Sequence, residues 1–257
     1  MNLNLFDSFP IAGGYVGVSI LMLVFNEVGY QLGVHARKGQ DKEAPSSLGP
    51  MVGGLLAMLA FVLAFTFSIA SHQHDLRKQS VLEEANSIGT AYLRADLLDK
   101  QYAKKVKHLL REYVDIRLKA ASGSDLDTAM AKSVGIHDHL WAQVSVAAKE
   151  RPNTNTSLMI QSINDIIDMH EKRVTAGLRN RIPSSVWMAL IGIIALTMIT
   201  MGAEVGLTGK RRLVAMIPLV LAFAVLVALV VDLNRPQSGL ITVGQQSMVD
   251  LQRSMSR

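Results

Sequence analysis

Four stretches without a charged side chain punctuate the chain, at Ser8–Asn26, Leu48–Ser71, Ile182–Ala203 and Leu213–Val231. Each is long enough, at about 1.5 Å per helical residue, to cross a hydrocarbon layer of about 30 Å. A core helix of a water-soluble protein keeps a polar stripe, whereas these stretches are apolar around their whole circumference. The expected fold is therefore an all-α integral membrane protein, with four transmembrane helices in two hairpins. No Lys or Arg precedes the first stretch and no A-x-A pattern follows it, so an uncleaved first span is expected rather than a signal peptide.

Between the second and third spans the pattern changes to amphipathic helix. Leu76, Leu82, Ile88, Leu93 and Leu97 alternate with charged residues, and nothing near His72 breaks the chain, so the second span is expected to continue into this segment. Asp99 is placed to cap a helix carrying Val106, Leu109, Leu110, Val114 and Leu118. A further helix fits Asp125 to Glu150, and Pro152 with the polar Asn153-Thr-Asn-Thr run interrupts it. The next helix holds Leu158, Ile160, Ile163, Ile166, Ile167 and Met169, and Pro183 marks a restart. Turns are expected at His35 to Ser47 and Gly206 to Arg212. After the turn that opens at Asn234, Val243 to Arg257 reads as a short amphipathic helix. The implied domains are residues 1–71 (first hairpin), 72–181 (a central extramembrane helical bundle), 182–233 (second hairpin) and 234–257 (tail).

Composition narrows the chemistry. Of 257 residues 49% are hydrophobic, which fits membrane spans, and the absence of cysteine excludes disulfides, thiolate nucleophiles and sulfur-ligated metals. The net charge of +5 comes with Lys and Arg flanking the spans, where they meet anionic lipid, so no nucleic-acid partner is expected. His72, His74 and Asp75, and again His137, Asp138 and His139, lack the i, i+4 pairing of a helical metal site, so no metal or cofactor is expected. Asn155-Thr-Ser157 matches a glycosylation sequon as a chance run. Walker loops, G-x-S-x-G elbows and H-E-x-x-H motifs are absent, and the chain does not read as an enzyme.

Several polar residues stand where charge is costly. Glu27, Glu204 and Asp232 lie at span edges, where they either face an ion path or sit at interface depth, with Asp232 pairing Arg235 or capping a turn. Glu83, Glu84, Asn86, Thr90, Tyr92 and Arg94 form a polar run in the middle segment, followed by Arg111 and Arg117. Such residues serve either as a conduit lining or as ion pairs within a bundle.

The run Glu83-Glu-Ala-Asn-Ser-Ile-Gly-Thr-Ala-Tyr-Leu-Arg-Ala-Asp-Leu-Leu98 resembles the bacterial bestrophin-like domain family, membrane proteins related to bestrophin anion channels. Leu109-Leu-Arg-Glu-Tyr-Val-Asp-Ile-Arg117, Arg181-Ile-Pro-Ser-Ser-Val-Trp187 and Asp232-Leu-Asn-Arg-Pro-Gln-Ser-Gly-Leu240 extend the resemblance from Gly53 onward. It implies a pentamer of identical chains in a bacterial inner membrane, passing small inorganic ions along a central pore whose hydrophobic neck is lined by the second span. Ala57, Phe61 and Phe65 stand at i, i+4 and i+8 on that span and share one face, so they are the expected pore-lining residues. Glu27, Glu84, Asn86, Arg94, Asp232 and Arg235 are the expected conduit or polar-network residues. The tail has only Asp250 after Asp232, so the acidic calcium clasp of true bestrophins is not carried over.

Orientation is read two ways. The dense basic turns Arg37, Lys38, Lys42 and Lys210, Arg211, Arg212 favour a middle domain outside the cell, while the resemblance implies the cytosolic side. The leading expectation is a bestrophin-like oligomeric channel conducting anions such as chloride. The alternative is a membrane-anchored helical-bundle sensor or scaffold acting through a separate partner.

Overall fold

The computed structural model describes residues 11–38, 47–123, 125–209, 213–235 and 239–256. The described residues form helices α1 (Ile11–Lys38), α2 (Gly49–Arg94), α3 (Lys100–Ala121), α4 (Leu126–Glu150), α5 (Thr154–Val174), α6 (Ser184–Thr208), α7 (Leu213–Asn234) and α8 (Gln246–Met255), and no strand occurs among them. A 3-10 turn (Ala95–Leu97) follows α2 and a π-helical turn (Thr175–Arg179) follows α5. Four helical segments are long and apolar enough to cross a membrane, and the protein is a multi-pass membrane protein. The expected start of the first span at Ser8, and the turn residues Lys42, Lys210, Arg211 and Arg212, lie outside the described residues.

The chain divides into two compact units, one of Met1–Gln73 with Arg181–Ile241, the other of His74–Asn180 with Thr242–Arg257. Helix α2 supplies its apolar first part to one and its polar second part to the other, in one unbroken run of 46 residues.

In the apolar unit, Met22 of α1, Leu59 and Leu63 of α2, Leu190, Ile194 and Met198 of α6, and Val220 and Ala224 of α7 share a core. Helix α1 runs on past the charge-free stretch and through Lys38, so the first residues of the turn expected from His35 are still helical, and its inner face there is held by glycine. Gly29-Tyr-Gln-Leu-Gly33 on α1 meets Gly202-Ala-Glu-Val-Gly206 on α6, and the two backbones touch. A Cβ on Gly29 would lie 2.0 Å from the Ile199 carbonyl oxygen, and one on Gly202 would lie 2.0 Å from that of Asn26. Small residues spaced by four let helices in lipid approach this closely and gain van der Waals and Cα–H···O contact. Asn26 Nδ2 adds a hydrogen bond to the Met198 carbonyl at 3.2 Å. Helix α1 therefore packs along α6 and also against α7.

The polar unit is built around Ala85, Ile88 and Ala91 of α2, Val106, Leu110 and Tyr113 of α3, Leu140 and Val144 of α4, Ile163 and Ile166 of α5, and Met248 and Met255 of α8. Asp125 caps α4 by accepting from the Asp127 and Thr128 backbone N–H groups, and Asn153 with Thr156 closes a capping box on α5. Asp99 stands at the start of α3 as expected, but its carboxylate makes no cap. It accepts instead from Arg151 Nη1 at 2.9 Å, a charge-assisted partner that outcompetes a neutral amide.

Candidate functional site

Two places carry the chemistry, one in each unit. In the apolar unit, α2 turns Leu59, Leu63, Thr66 and Ala70 inward to the core. The opposite face carries Ala57, Phe61 and Phe65, all exposed, with Phe61 73% and Phe65 59% accessible. Gly53, Gly54, Ala60, Ala64 and Ser68 share the exposed surface. Met58 and Phe67 are exposed on the same stretch of α2 as well, so the two rings belong to a broader apolar surface open to a partner, ion or lipid on that side.

Asp232 is 97% enclosed, and its two oxygens accept the backbone N–H groups of Leu240 and Ile241, each at 3.0 Å. A Cβ on Gly239 would lie 2.1 Å from Asp232 Oδ1, so the cradle requires glycine there. Arg235 is buried just past the end of α7. Glu27 accepts from Gln31 Nε2 at 3.5 Å on the same helix. Glu204 holds the start of α2, taking the Leu48 N–H at 2.6 Å and the Ser47 hydroxyl at 3.1 Å, where a carboxylate also complements the helix dipole.

In the polar unit, outside the apolar stretches, Glu84 of α2 has no exposed surface and anchors a buried ionic cluster. Arg117 Nε of α3 lies 3.1 Å from its Oε1, and Arg173 Nη1 of α5 bonds its Oε2. The Tyr113 hydroxyl donates to Oε1 at 2.7 Å. That hydroxyl has one proton, so at its 3.2 Å contact with His170 Nδ1 it accepts, and His170 carries its hydrogen on Nδ1. His137 of α4 packs its ring edge-on to His170, with centroids 4.9 Å apart, and lies 5.0 Å from the Tyr113 ring. Arg173 Nη2 also donates to Gln245 Oε1 at 2.7 Å, which brings the segment before α8 to the same place.

Two guanidinium groups against one carboxylate set the electrostatics. Burial by itself would raise the Glu84 carboxyl, but the fields of Arg117 and Arg173 and the Tyr113 hydrogen bond outweigh it and hold the group below its usual range. Burial next to that carboxylate keeps Tyr113 protonated well above the ordinary phenol value. Burial and then the neighbouring cations push His170 down to about 4, and burial lowers His137 as well. Both rings are therefore neutral near pH 7.

Within the polar unit, Glu84, Asn86 and Arg94 take different surroundings. Glu84 is in the cluster, but Asn86, two positions on, is exposed on another face of α2. Arg94 donates to the Leu158 carbonyl at 3.2 Å and the Ser162 hydroxyl at 2.8 Å, tying α2 to α5 away from Glu84. Tyr113, His137, His170 and Arg173 were not among the expected site residues. Tyr113, His137 and His170 occupy buried positions in the apolar period of their helices, as with His170 after Met159, Ile163 and Ile166, while Arg173 is half-buried beside that stripe. A polar residue in such a stripe is the signal that would have found them.

No curated protein and no solved structure matches the chain. A family model described as the Bestrophin-like domain matches residues 18–248, a span that takes in the α1–α6 glycine contact, the exposed phenylalanines of α2 and the Glu84 cluster. With nearly the whole chain covered, this protein belongs to the bestrophin-like domain family.

Proposed function

We propose that the protein is an oligomeric ion channel, not an enzyme, that conducts anions such as chloride through a pore lined by α2. The observation that carries this reading is the exposed Ala57, Phe61 and Phe65 face, opposite a fully packed one, in a chain of the bestrophin-like family. Around a shared axis such rings would form a narrow apolar neck. The edges of aromatic rings carry partial positive charge and tolerate a partly dehydrated anion, and an apolar constriction gates by dewetting. In this reading five copies surround the pore in a bacterial inner membrane. The spans form two hairpins flanking an extramembrane helical domain, residues 72–181, that extends the conduit.

Purified protein fused into planar bilayers tests it. Chloride-selective current that changes in size or rectification in Phe61→Ala and Phe65→Ala is expected. Silence from intact oligomers, or currents indifferent to both substitutions, overturns it.

A further inference from the structure

Helix α3 carries an exposed basic stripe. Lys100, Lys104, Lys105 and His108 are exposed and lie on the side of the helix away from its buried residues Tyr102, Val106, Leu110, Tyr113 and Val114, while Arg111 at the end of the stripe is tied to the Met255 carbonyl and the Tyr92 hydroxyl. Among the described residues no carboxylate pairs with Lys100, Lys104 or Lys105, and the first acids of the helix are Glu112 and Asp115. These lysines also crowd the positive end of the helix dipole, which makes the stripe intrinsically unfavourable without a counter-charge.

Helix α5 carries the complement. Asp165, Asp168 and Glu171 follow at three-residue spacing, exposed, on the side away from Met159, Ile163, Ile166 and His170. Apart from Asn164 Nδ2 bonding Asp168 at 3.1 Å and a loose 3.9 Å approach of Arg179 to Glu171, the acids face solvent. Helix α4 packs against both α3 and α5, and Tyr113 of α3 meets His170 of α5 across the core, so the two outward stripes point away from each other on one unit.

We infer that the basic stripe of α3 docks on the acidic stripe of α5 of a second copy of this chain, a head-to-tail contact between neighbouring subunits. Two different, complementary surfaces on opposite flanks are what a closed ring needs, whereas a two-fold dimer joins one surface to itself. Complementary charge fixes partner and register, and like charges brought together are penalised. The inference rests on the oligomeric part of the proposed function and adds the surface that makes the oligomer.

Cysteine cross-linking in the full-length, cysteine-free chain reads this contact directly. The double variant Lys104→Cys/Asp168→Cys is expected to give a disulfide ladder of dimers and higher species on mild oxidation in membranes, and each single variant only monomer. Charge reversal supplies a second reading. Lys104→Glu/Lys105→Glu should raise the concentration at which the solubilised oligomer dissociates at least about tenfold at low salt, and adding Asp165→Lys/Asp168→Lys should restore it. Absence of the ladder, a ladder equally strong from one single variant, or reversal without rescue overturns the inference. Chloride current from protein that forms no ladder removes this interface and leaves the conduction reading standing. A ladder from protein that carries no current supports the interface and removes conduction instead.

Discussion

The Tyr113 hydroxyl donates to Glu84 Oε1 at 2.7 Å inside the polar unit, and the same oxygen lies 3.1 Å from Arg117 Nε. Side chains of α3 and α5 thus converge on one carboxylate of α2, with His137 of α4 and Gln245 packed or bonded around them. Removing that carboxylate in Glu84→Ala would leave the buried Arg117 guanidinium uncompensated and take it from half-buried Arg173, a change that costs about 3–5 kcal/mol for buried pairs. The expected result is a melting temperature lowered by many degrees in detergent. Tyr113→Phe, which removes one hydrogen bond and keeps the ring, should cost about 1–2 kcal/mol.

Acid acts on the same cluster through its histidines. His170 is held down to about 4 and His137 is lowered from the ordinary 6.5, so the unfolded chain binds their protons more readily than the folded one. Stability from this source is complete above about pH 6.5 and is lost as pH falls from there toward 4, where cations would form beside Arg117 and Arg173. Melting temperature measured from pH 7.5 to 4 should fall across this window, and His170→Leu should flatten the fall.

The helix contact of the apolar unit makes a different prediction. Gly202→Val and Gly33→Val would each push a side chain into the facing backbone, since even a Cβ would lie 2.0 Å and 2.3 Å from carbonyl oxygens of Asn26 and Ala203. Overpacking of this kind costs about 1–3 kcal/mol and often more where backbone is the obstacle. Loss of folded yield by fluorescence-detected size exclusion is expected for both. Gly14→Ala, where no heavy atom lies within 4 Å, serves as the control and should be neutral.

Gly239→Ala should open the Asp232 cradle, because the new methyl group would fall on Oδ1. Two backbone N–H groups would lose their acceptor, at a cost of about 1–3 kcal/mol. Thermal unfolding of the variant checks this, and Asp232→Ala should cause a loss of similar size.

The parts legible in the sequence are those written locally. Charge-free runs of sufficient length mark the four apolar helices, and the break at Pro152 and Asn153-Thr-Asn-Thr separates α4 from α5. The family resemblance rested on contiguous runs such as Glu83–Leu98 and is matched by the family model across residues 18–248. What stayed hidden is joined by long-range packing. Glu84 was grouped with Asn86 and Arg94 because they are neighbours along one helix, yet two residues apart on a helix point to different sides. Of its partners, Arg117 stands in the same polar group that the sequence reads as either conduit lining or ion pairs within a bundle, and the two do pair; Arg173, 89 residues away, is joined to them only by packing. Gly29-x-x-x-Gly33 and Gly202-x-x-x-Gly206 are both plain to read, but nothing local says that each is the other's partner.

That glycine contact also limits how the apolar unit can change shape. With Gly29, Gly33, Gly202 and Gly206 pressed against opposing carbonyls, α1 and α6 have no clearance to slide or roll past one another, and they behave as a single beam. Any rearrangement of this unit therefore falls on α2 and α7 moving against that beam.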